Sequence, residues 1–358
     1  MDNVQTATRD LQPVFIAGPT AVGKSALALA LAEKLGGEII SVDSMQVYRG
    51  LDIGTAKPTA AERARVRHHL IDVADLTETF DAAKFVSFAQ QAVKEIQSRG
   101  RIPIFCGGTG LYFKAYLEGL GEAPPADEKL RAELEATPLP DLLRELEQRD
   151  PTTFEKIDRH NPRRVIRALE VIRLTGKPFS AQRARWGEAA SPLSFPKGGE
   201  GHGEEALLFS AETRAVAAQI PSPQPSPRLS GARDLVSVSP RFFCLSRPTA
   251  DLHARINTRV DEMFAAGLLE ETRQLLQRGL EQNKTAMQAI GYRQVVEHLC
   301  GERALPETIE LVKIKTRQFA KRQLTWFRRH ANAQWIELKP DGDLAALGSD
   351  FPPTLTCP

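Results

Sequence analysis

The chain has 358 residues, of which 42% are hydrophobic and 26% charged, and a net charge of +2. This is an ordinary globular composition with room for roughly two domains, and it excludes a uniform polycation, so affinity for nucleic acid has to come from local clusters of charge. Cys106, Cys244, Cys300 and Cys357 are far apart and form no CxxC pair, which argues against a zinc knuckle or a disulfide framework and for a reducing compartment.

The first ten residues are polar, without an apolar leader region, and no run is long enough to cross a bilayer. A cytoplasmic protein without a membrane partner is expected. Val14–Ala17 reads as a buried strand and Ala26–Leu35, rich in Ala and Leu, as a helix closed by Gly36-Gly37. Strands are predicted at Glu38–Val42 and His69–Val73. Asp81 caps a predicted helix whose apolar positions are Phe85, Val86, Ala89, Ala92, Val93 and Ile96, and Gly100 ends it. Ile102–Cys106 is another strand, broken by Gly107-Gly108. Strands separated by helices predict an α/β fold with a parallel, doubly wound sheet.

Beyond Gly121 the pattern is helix after helix, with Pro138, Pro140, Pro151 and Gly176 read as stops. Residues 188–240 are rich in Pro, Gly and Ser and read as a disordered insertion in a surface loop, with a short helix over Glu204–Ile220. A regulatory segment is the alternative reading. A strand at Arg241–Leu245, helices through Arg329 and a last short strand at Trp335–Glu337 complete the chain. The predicted organisation is a core over 13–121, a helical insertion over 122–187, the disordered insertion over 188–240, and a helical return to the core over 241–337.

Gly18-Pro19-Thr20-Ala21-Val22-Gly23-Lys24-Ser25 is GxxxxGKS, directly after a strand and before a helix. That is the context of a phosphate-binding loop. Its glycines let successive N–H groups point at one anion, and the helix N-terminus adds partial positive charge. Lys24 reaches a terminal phosphate, and the Ser25 hydroxyl is the candidate Mg²⁺ ligand. The motif identifies a polyphosphate without saying which. An ATPase or kinase would place an acid after an apolar strand. Ile102–Cys106 ends instead in Gly107-Gly108-Thr109, and Asp72 is the remaining substitute. Asp43, at the end of the second strand, is expected beside the phosphate loop, because ligands bind at the carboxyl ends of the strands in open α/β sheets. A base acting on an acceptor belongs there.

The phosphate loop, Ser41-Val42-Asp43-Ser44, Asp52–Pro58 (DIGTAKP), His68–Asp72 (HHLID) and Gly107–Tyr112 (GGTGLY) occur in this order. Together with Ala289–Gln294 (AIGYRQ) and Thr316–Gln323 (TRQFAKRQ), they make the chain resemble the bacterial tRNA dimethylallyltransferases over about residues 13–187 and 241–337. At 188–240 the chain departs from the family, which has only a short connection there. The resemblance implies a P-loop NTPase/kinase-like core with a helical insertion domain. It implies dimethylallyl diphosphate as donor, Mg²⁺ as cofactor, and N6 of an adenine next to the anticodon of tRNA as acceptor. Asp43 then accepts the amine proton, Arg259 and Lys24 hold the diphosphate or the reacting centre, and Thr109 contacts the leaving group or the adenosine. The base is expected to flip out of its stack into a recessed site.

The resemblance further implies tRNA contacts at Asp43, Ser44, Met45, Gln46, Thr109 and Arg131. It adds Arg163, Arg164, Val165, Ile166 and Arg167, and then Gln288, Ala289, Ile290, Gly291, Tyr292 and Arg293. Residues 311–330 contain seven Lys or Arg and no acid, with Lys313, Arg317, Lys321 and Arg328 spaced for roughly one helix face and Arg322 beside them. Such a helix supplies affinity for an RNA backbone without reading sequence. Arg159, Arg163, Arg164, Arg167 and Arg173 form a second basic run in the helical insertion, and solvated faces packed against acidic neighbours are the bland alternative for both runs. A P-loop kinase of a nucleotide or small metabolite, and an RNA-binding P-loop protein without catalysis, remain as alternative functions. The expected oligomeric state is a monomer.

Overall fold

The computed structural model describes residues 11–120, 124, 126–182 and 241–339. The expected insertion over 188–240, its short helix at Glu204–Ile220, and Cys357 lie outside the described residues. Six strands form one parallel sheet: β1 (Val14–Ala17), β2 (Gly37–Val42), β3 (His68–His69), β4 (Ile102–Gly107), β5 (Arg241–Ser246) and β6 (Gln334–Glu337), in the order β3-β2-β4-β1-β5-β6. β1, β2 and β4 are buried along their whole length. This is why they read as continuous apolar runs, as strands covered by helices on both faces do.

Helices α1 (Lys24–Leu35), α2 (Ala60–Arg65) and α3 (Ala82–Ser98) connect the first four strands, and α4 (Gly110–Glu118) follows β4. Asp81 caps α3 as expected, its side chain accepting from Lys84 N at 2.9 Å. α2 escaped the sequence reading although its signal is present. Thr59 and Glu62 form a capping box, each side chain accepting from the other's backbone amide. The third strand is shorter than the His69–Val73 expected. It ends at His69 because Leu70 (φ 62°) and Asp72 (φ 58°) take left-handed backbone conformations, which no strand continues through.

Five helices follow: α5 (Glu128–Ala136), α6 (Leu139–Arg149), α7 (Pro151–Lys156), α8 (Pro162–Thr175) and α9 (Phe179–Gln182). They share an apolar centre of Leu134, Leu142, Leu146, Val165, Ala168, Leu169 and Ile172. Pro138 and Pro151 follow the ends of α5 and α6, as the expected stops, and they also begin the next helices, whereas Pro140 ends no helix. Pro138 precedes α6, Pro140 lies in its first turn, and Pro151 opens α7. The first turn has no intrahelical partner for their missing N–H, and the fixed φ suits it. Gly176 ends α8, as expected.

After β5 come α10 (Thr249–Ala265), α11 (Leu268–Gln277), two short 3-10 turns at Leu280–Gln282 and Ala286–Gln288, α12 (Tyr292–Leu299) and the 26-residue α13 (Leu305–His330). α13 packs along α10 and reaches back to α4. No helix among the described residues is long and apolar enough to cross a membrane.

Candidate active site

The carboxyl ends of β1, β2, β4 and β5 carry, in turn, the phosphate loop, Asp43, Gly108-Thr109 and Arg247. They meet where the chain order reverses across the sheet, which is where open α/β sheets bind ligands. Gly18 takes φ 148°, and a Cβ there would lie 2.8 Å from Leu245 O, so the loop leaves β1 by a path only glycine follows. No side chain caps the N-terminus of α1 and no acid stands in its first turn. The first amides and the helix dipole are thus left to an anion. The loop is clamped from below: Arg247, buried, donates to Val22 O at 2.8 Å, and Arg255 donates to Ala21 O at 3.1 Å.

Lys24 Nζ donates to Pro19 O at 2.7 Å, across the mouth of the loop. Loss of hydration pushes the pKa of its ammonium down to about 8; the charge of Arg259 acts in the same direction and that of Asp43 in the opposite one. The charges of Arg259 and Asp43 thus both act on Lys24. Burial, followed by the charge of Arg255, also lowers the pKa of Arg259, which as a guanidinium stays protonated. Among the described residues Arg259 has no hydrogen bond and no ion pair, and the charge of Glu262 only partly offsets the lowering of its pKa. The thiols of Cys106 and Cys244 beneath the site are pushed up to about 11 and about 12 by burial, and they stay neutral.

These pKa directions predict a pH dependence. A bound diphosphate stabilises Lys24 in its charged form, so binding takes up a proton once the free protein has begun to lose it. Affinity for inorganic diphosphate is therefore full below about 8 and falls above it. The slope approaches about tenfold per pH unit. The ligand's own ionisation acts the other way, since it gains charge as pH rises. Calorimetric titrations between pH 7 and pH 10, in buffers of different ionisation enthalpy, count the proton directly.

Asp43 turns the chain back toward the sheet. Its Oδ1 accepts from Met45 N at 2.8 Å and Gln46 N at 3.2 Å, an Asx turn that leaves Oδ2 for another partner. Thr109 is fixed beside it: its N–H donates to Val42 O at 3.2 Å and its Oγ1 accepts from Ser44 N at 3.1 Å, which leaves the hydroxyl proton to give. Gln46 extends the turn into the DIGTAKP loop, donating to Thr55 O at 3.1 Å while its Oε1 accepts from Ser41 Oγ. Asp72 is not the free acid that a kinase would need. Burial opposes its ionisation, but hydrogen bonds from Lys57 and Arg63 outweigh that and hold the carboxyl below its ordinary range.

Ser25 is exposed in the first turn of α1. Among the described residues no group of three His, Cys, Asp or Glu could hold a metal ion. A hard cation bound through one hydroxyl, with ligand oxygens and waters completing its shell, fits this donor set.

The two basic runs are sorted by their neighbours. Arg167 and Arg131 pair with the buried Glu170 at 2.6 Å and 3.1 Å, and Arg173 pairs with Glu133 and Glu145. Val165 and Ile166 face the apolar centre of the helical layer, so they orient the arginines around them. Arg163 donates to Lys284 O at 3.3 Å, beside the 3-10 turn that carries Gln288. On α13 the anticipated single face divides. Lys313 pairs with Asp261 at 2.8 Å and Arg317 donates to Asn257, both on α10, which covers that half of the helix. Arg328 lies 5.7 Å from the Trp335 ring. Lys321, Arg322 and Arg329 instead join Arg164, Trp326 and His330 around a cavity of ≈ 520 Å³. Of the two basic runs, these four cations open on a common space.

Ala289, Gly291 and Tyr292 are buried, while Gln288 and Arg293 are exposed. Tyr292 OH donates to Glu271 and accepts from Gly54 N at 3.0 Å, and Glu271 accepts from Ile53 N at 3.0 Å. The segment thereby anchors the DIGTAKP loop. Gln323, Arg255 and Arg247 are contacts of the phosphate loop that the sequence reading did not select as site residues; Gln323 closes the TRQFAKRQ segment, but nothing local assigns it this contact.

Comparison with known proteins identifies the family. A family model described as IPP transferase matches residues 46–202 and 203–330. The tRNA dimethylallyltransferase 1 of Trichlorobacter lovleyi is 43% identical over 327 residues, covering 90% of this chain and 92% of that protein. The tRNA dimethylallyltransferase of Geobacillus kaustophilus is 40% identical, covering 92% of each. Among solved structures, the full-length tRNA isopentenylpyrophosphate transferase of Bacillus halodurans superposes with a TM-score of 0.61 at 36% identity, covering 97% of each chain. A eukaryotic dimethylallyltransferase acting on tRNA superposes with a TM-score of 0.67 at 26% identity, covering 95% of this chain and 76% of that one. The parallel sheet, the phosphate loop at its carboxyl edge and these relatives together place the chain in the IPP transferase family, the prenyl-transferring tRNA dimethylallyltransferases.

Proposed function

We propose that this enzyme transfers a dimethylallyl group from dimethylallyl diphosphate to N6 of an adenine beside the anticodon of a tRNA. The observation that carries the reading is the geometry at the carboxyl edge of the sheet: an uncapped phosphate loop with Lys24 across its mouth and the Asp43 turn with Oδ2 left over, Arg259 and Asp43 both acting electrostatically on Lys24. Two cations beside an uncapped helix N-terminus suit a diphosphate that departs, and the carboxylate suits a nucleophile that must lose a proton.

The bond from the allylic carbon to the diphosphate oxygen breaks, and its electron pair leaves with the diphosphate. The amine nitrogen forms the new bond to that carbon, and its proton passes to Asp43 Oδ2. Lys24, Arg259 and the first amides of α1 stabilise the charge growing on the leaving oxygens, because they are fixed before the reaction begins. The Thr109 hydroxyl donates to the leaving group or to the adenosine. Ser25 would hold a bound Mg²⁺, which would supply further neutralisation of that charge. The cavity lined by Arg164, Lys321, Arg322, Trp326 and Arg329 suits an RNA backbone with one unstacked base.

The test is an incubation of the protein with Mg²⁺, radiolabelled dimethylallyl diphosphate and an unmodified anticodon stem-loop. Label is expected in the RNA, on an adenine. Turnover of ATP onto a metabolite, with no label in RNA, would overturn the assignment in favour of a kinase.

A further inference from the structure

α13 presents different groups on different sides. Lys321, Arg322 and Trp326 line the basic cavity, while Gln323 between them points inward and is 8% exposed. Its carboxamide spans two loops. Oε1 accepts from Thr20 N of the phosphate loop at 2.9 Å, and Nε2 donates to Gly108 O at 3.0 Å. One partner is an amide N–H and the other a carbonyl, so the site requires an acceptor and a donor on one planar group. Glutamate would set an oxygen against the Gly108 carbonyl. The approach is also close: a Cβ on Gly108 would stand 2.2 Å from Nε2. Thr109, whose hydroxyl holds the Asp43 turn, is the next residue.

We propose that Gln323 is a positioning residue that sets the separation between the phosphate loop and the Gly108-Thr109 loop, and so aligns the diphosphate with the Asp43 turn. Its catalytic part rests on the donor reading above; its effect on the phosphate loop does not. The strut also belongs to the helix that carries the basic cavity, so the same rigid element holds the donor loops and faces the RNA. A misplacement of reacting groups by about 1 Å costs on the order of 100-fold in rate, and this sets the scale expected when the strut is removed.

Full-length wild type, Gln323→Met, Gln323→Glu and Gly108→Ala test the proposal. Met removes both bonds at nearly constant volume. Glu keeps the acceptor and loses the donor. Ala at position 108 pushes the strut from the opposite side. Three quantities are read on the folded fraction of each protein: the Kd of inorganic diphosphate by calorimetry, the Kd of the stem-loop RNA, and the single-turnover rate at saturating donor. All three variants are expected to bind diphosphate about tenfold more weakly and to transfer about 10- to 100-fold more slowly, with RNA affinity unchanged. A merely structural role would lower the melting temperature and the folded fraction but leave the diphosphate Kd and the rate per folded molecule at wild-type values. That result in two of the three variants would overturn the proposal. If wild type binds diphosphate but transfers nothing to RNA, the donor reading fails, and the diphosphate Kd alone still decides whether Gln323 shapes the loop.

Discussion

Asp43→Asn is expected to slow single-turnover transfer by about 10²- to 10⁴-fold, the range that a positioned general base supplies, with stem-loop affinity nearly unchanged. The substitution is chosen because of what it preserves. Asp43 Oδ1 accepts from the amides of Met45 and Gln46, and an asparagine carbonyl oxygen does the same, so the turn and the Thr109 contact beside it survive. What disappears is the basicity of Oδ2 and one negative charge. The adenine amine is a weak nucleophile because its lone pair is delocalised into the ring. Without an acceptor its proton has to leave to water from a recessed site. Asp43→Ala removes the turn as well, so a further loss from Asn to Ala measures the turn and not the base. A loss below tenfold in Asp43→Asn would show that another group takes the proton. The pH edge of diphosphate binding supplies an independent readout. The negative charge of Asp43 raises the pKa of Lys24, so its removal shifts the edge below about 8.

The parts of this site that were legible in the sequence are those written in contiguous residues. GxxxxGKS between an apolar strand and a helix specifies the phosphate loop, because the geometry it needs is local: glycine backbone, helix N-terminus, lysine and hydroxyl within eight residues. Asp43 was legible by one further step, since a strand end in a parallel sheet lies beside its neighbour's. Local signals were also missed. Thr59 and Glu62 spell a capping box, and Pro138 and Pro151 were read only as stops when each also opens the next helix, while Pro140, in a first turn, stops none. Those errors come from treating proline as a breaker without asking which end of a helix it suits. The strut at Gln323 is of another kind. Its partner Thr20 is 303 residues away, and no periodicity announces a contact made only when α13 returns to the sheet. The basic face of α13 failed for the same reason. Spacing places Lys313 and Arg317 with Lys321, but the acid and amide that take up the first two belong to α10. Charge in a helical run becomes an RNA surface only where no neighbouring element claims it.

Arg259→Gln is expected to lower the transfer rate by about 10²- to 10³-fold, the usual cost of removing one preorganised group that stabilises developing charge. Its effect on stability is expected to have the opposite sign. Among the described residues Arg259 has no hydrogen bond and no ion pair, and burial together with Arg255 disfavours its charge. A half-buried cation that the charge of Glu262 only partly offsets destabilises the fold. Glutamine keeps most of the side-chain volume and removes the charge, so the ligand-free protein melts no lower than wild type. A cation that costs stability without a ligand and is worth two or three orders of magnitude with one marks a group held for an anion. The electrostatic signature is again distinct. Arg259 lowers the pKa of Lys24, whereas Asp43 raises it. Arg259→Gln therefore shifts the pH edge of diphosphate binding above about 8 while weakening binding below it, and Asp43→Asn shifts the edge the other way. Melting curves and diphosphate titrations on the two variants decide this without any measurement of activity. Edges that move together, or an Arg259→Gln protein that melts well below wild type, would mean that Arg259 is a packing residue and that Lys24 alone holds the leaving group.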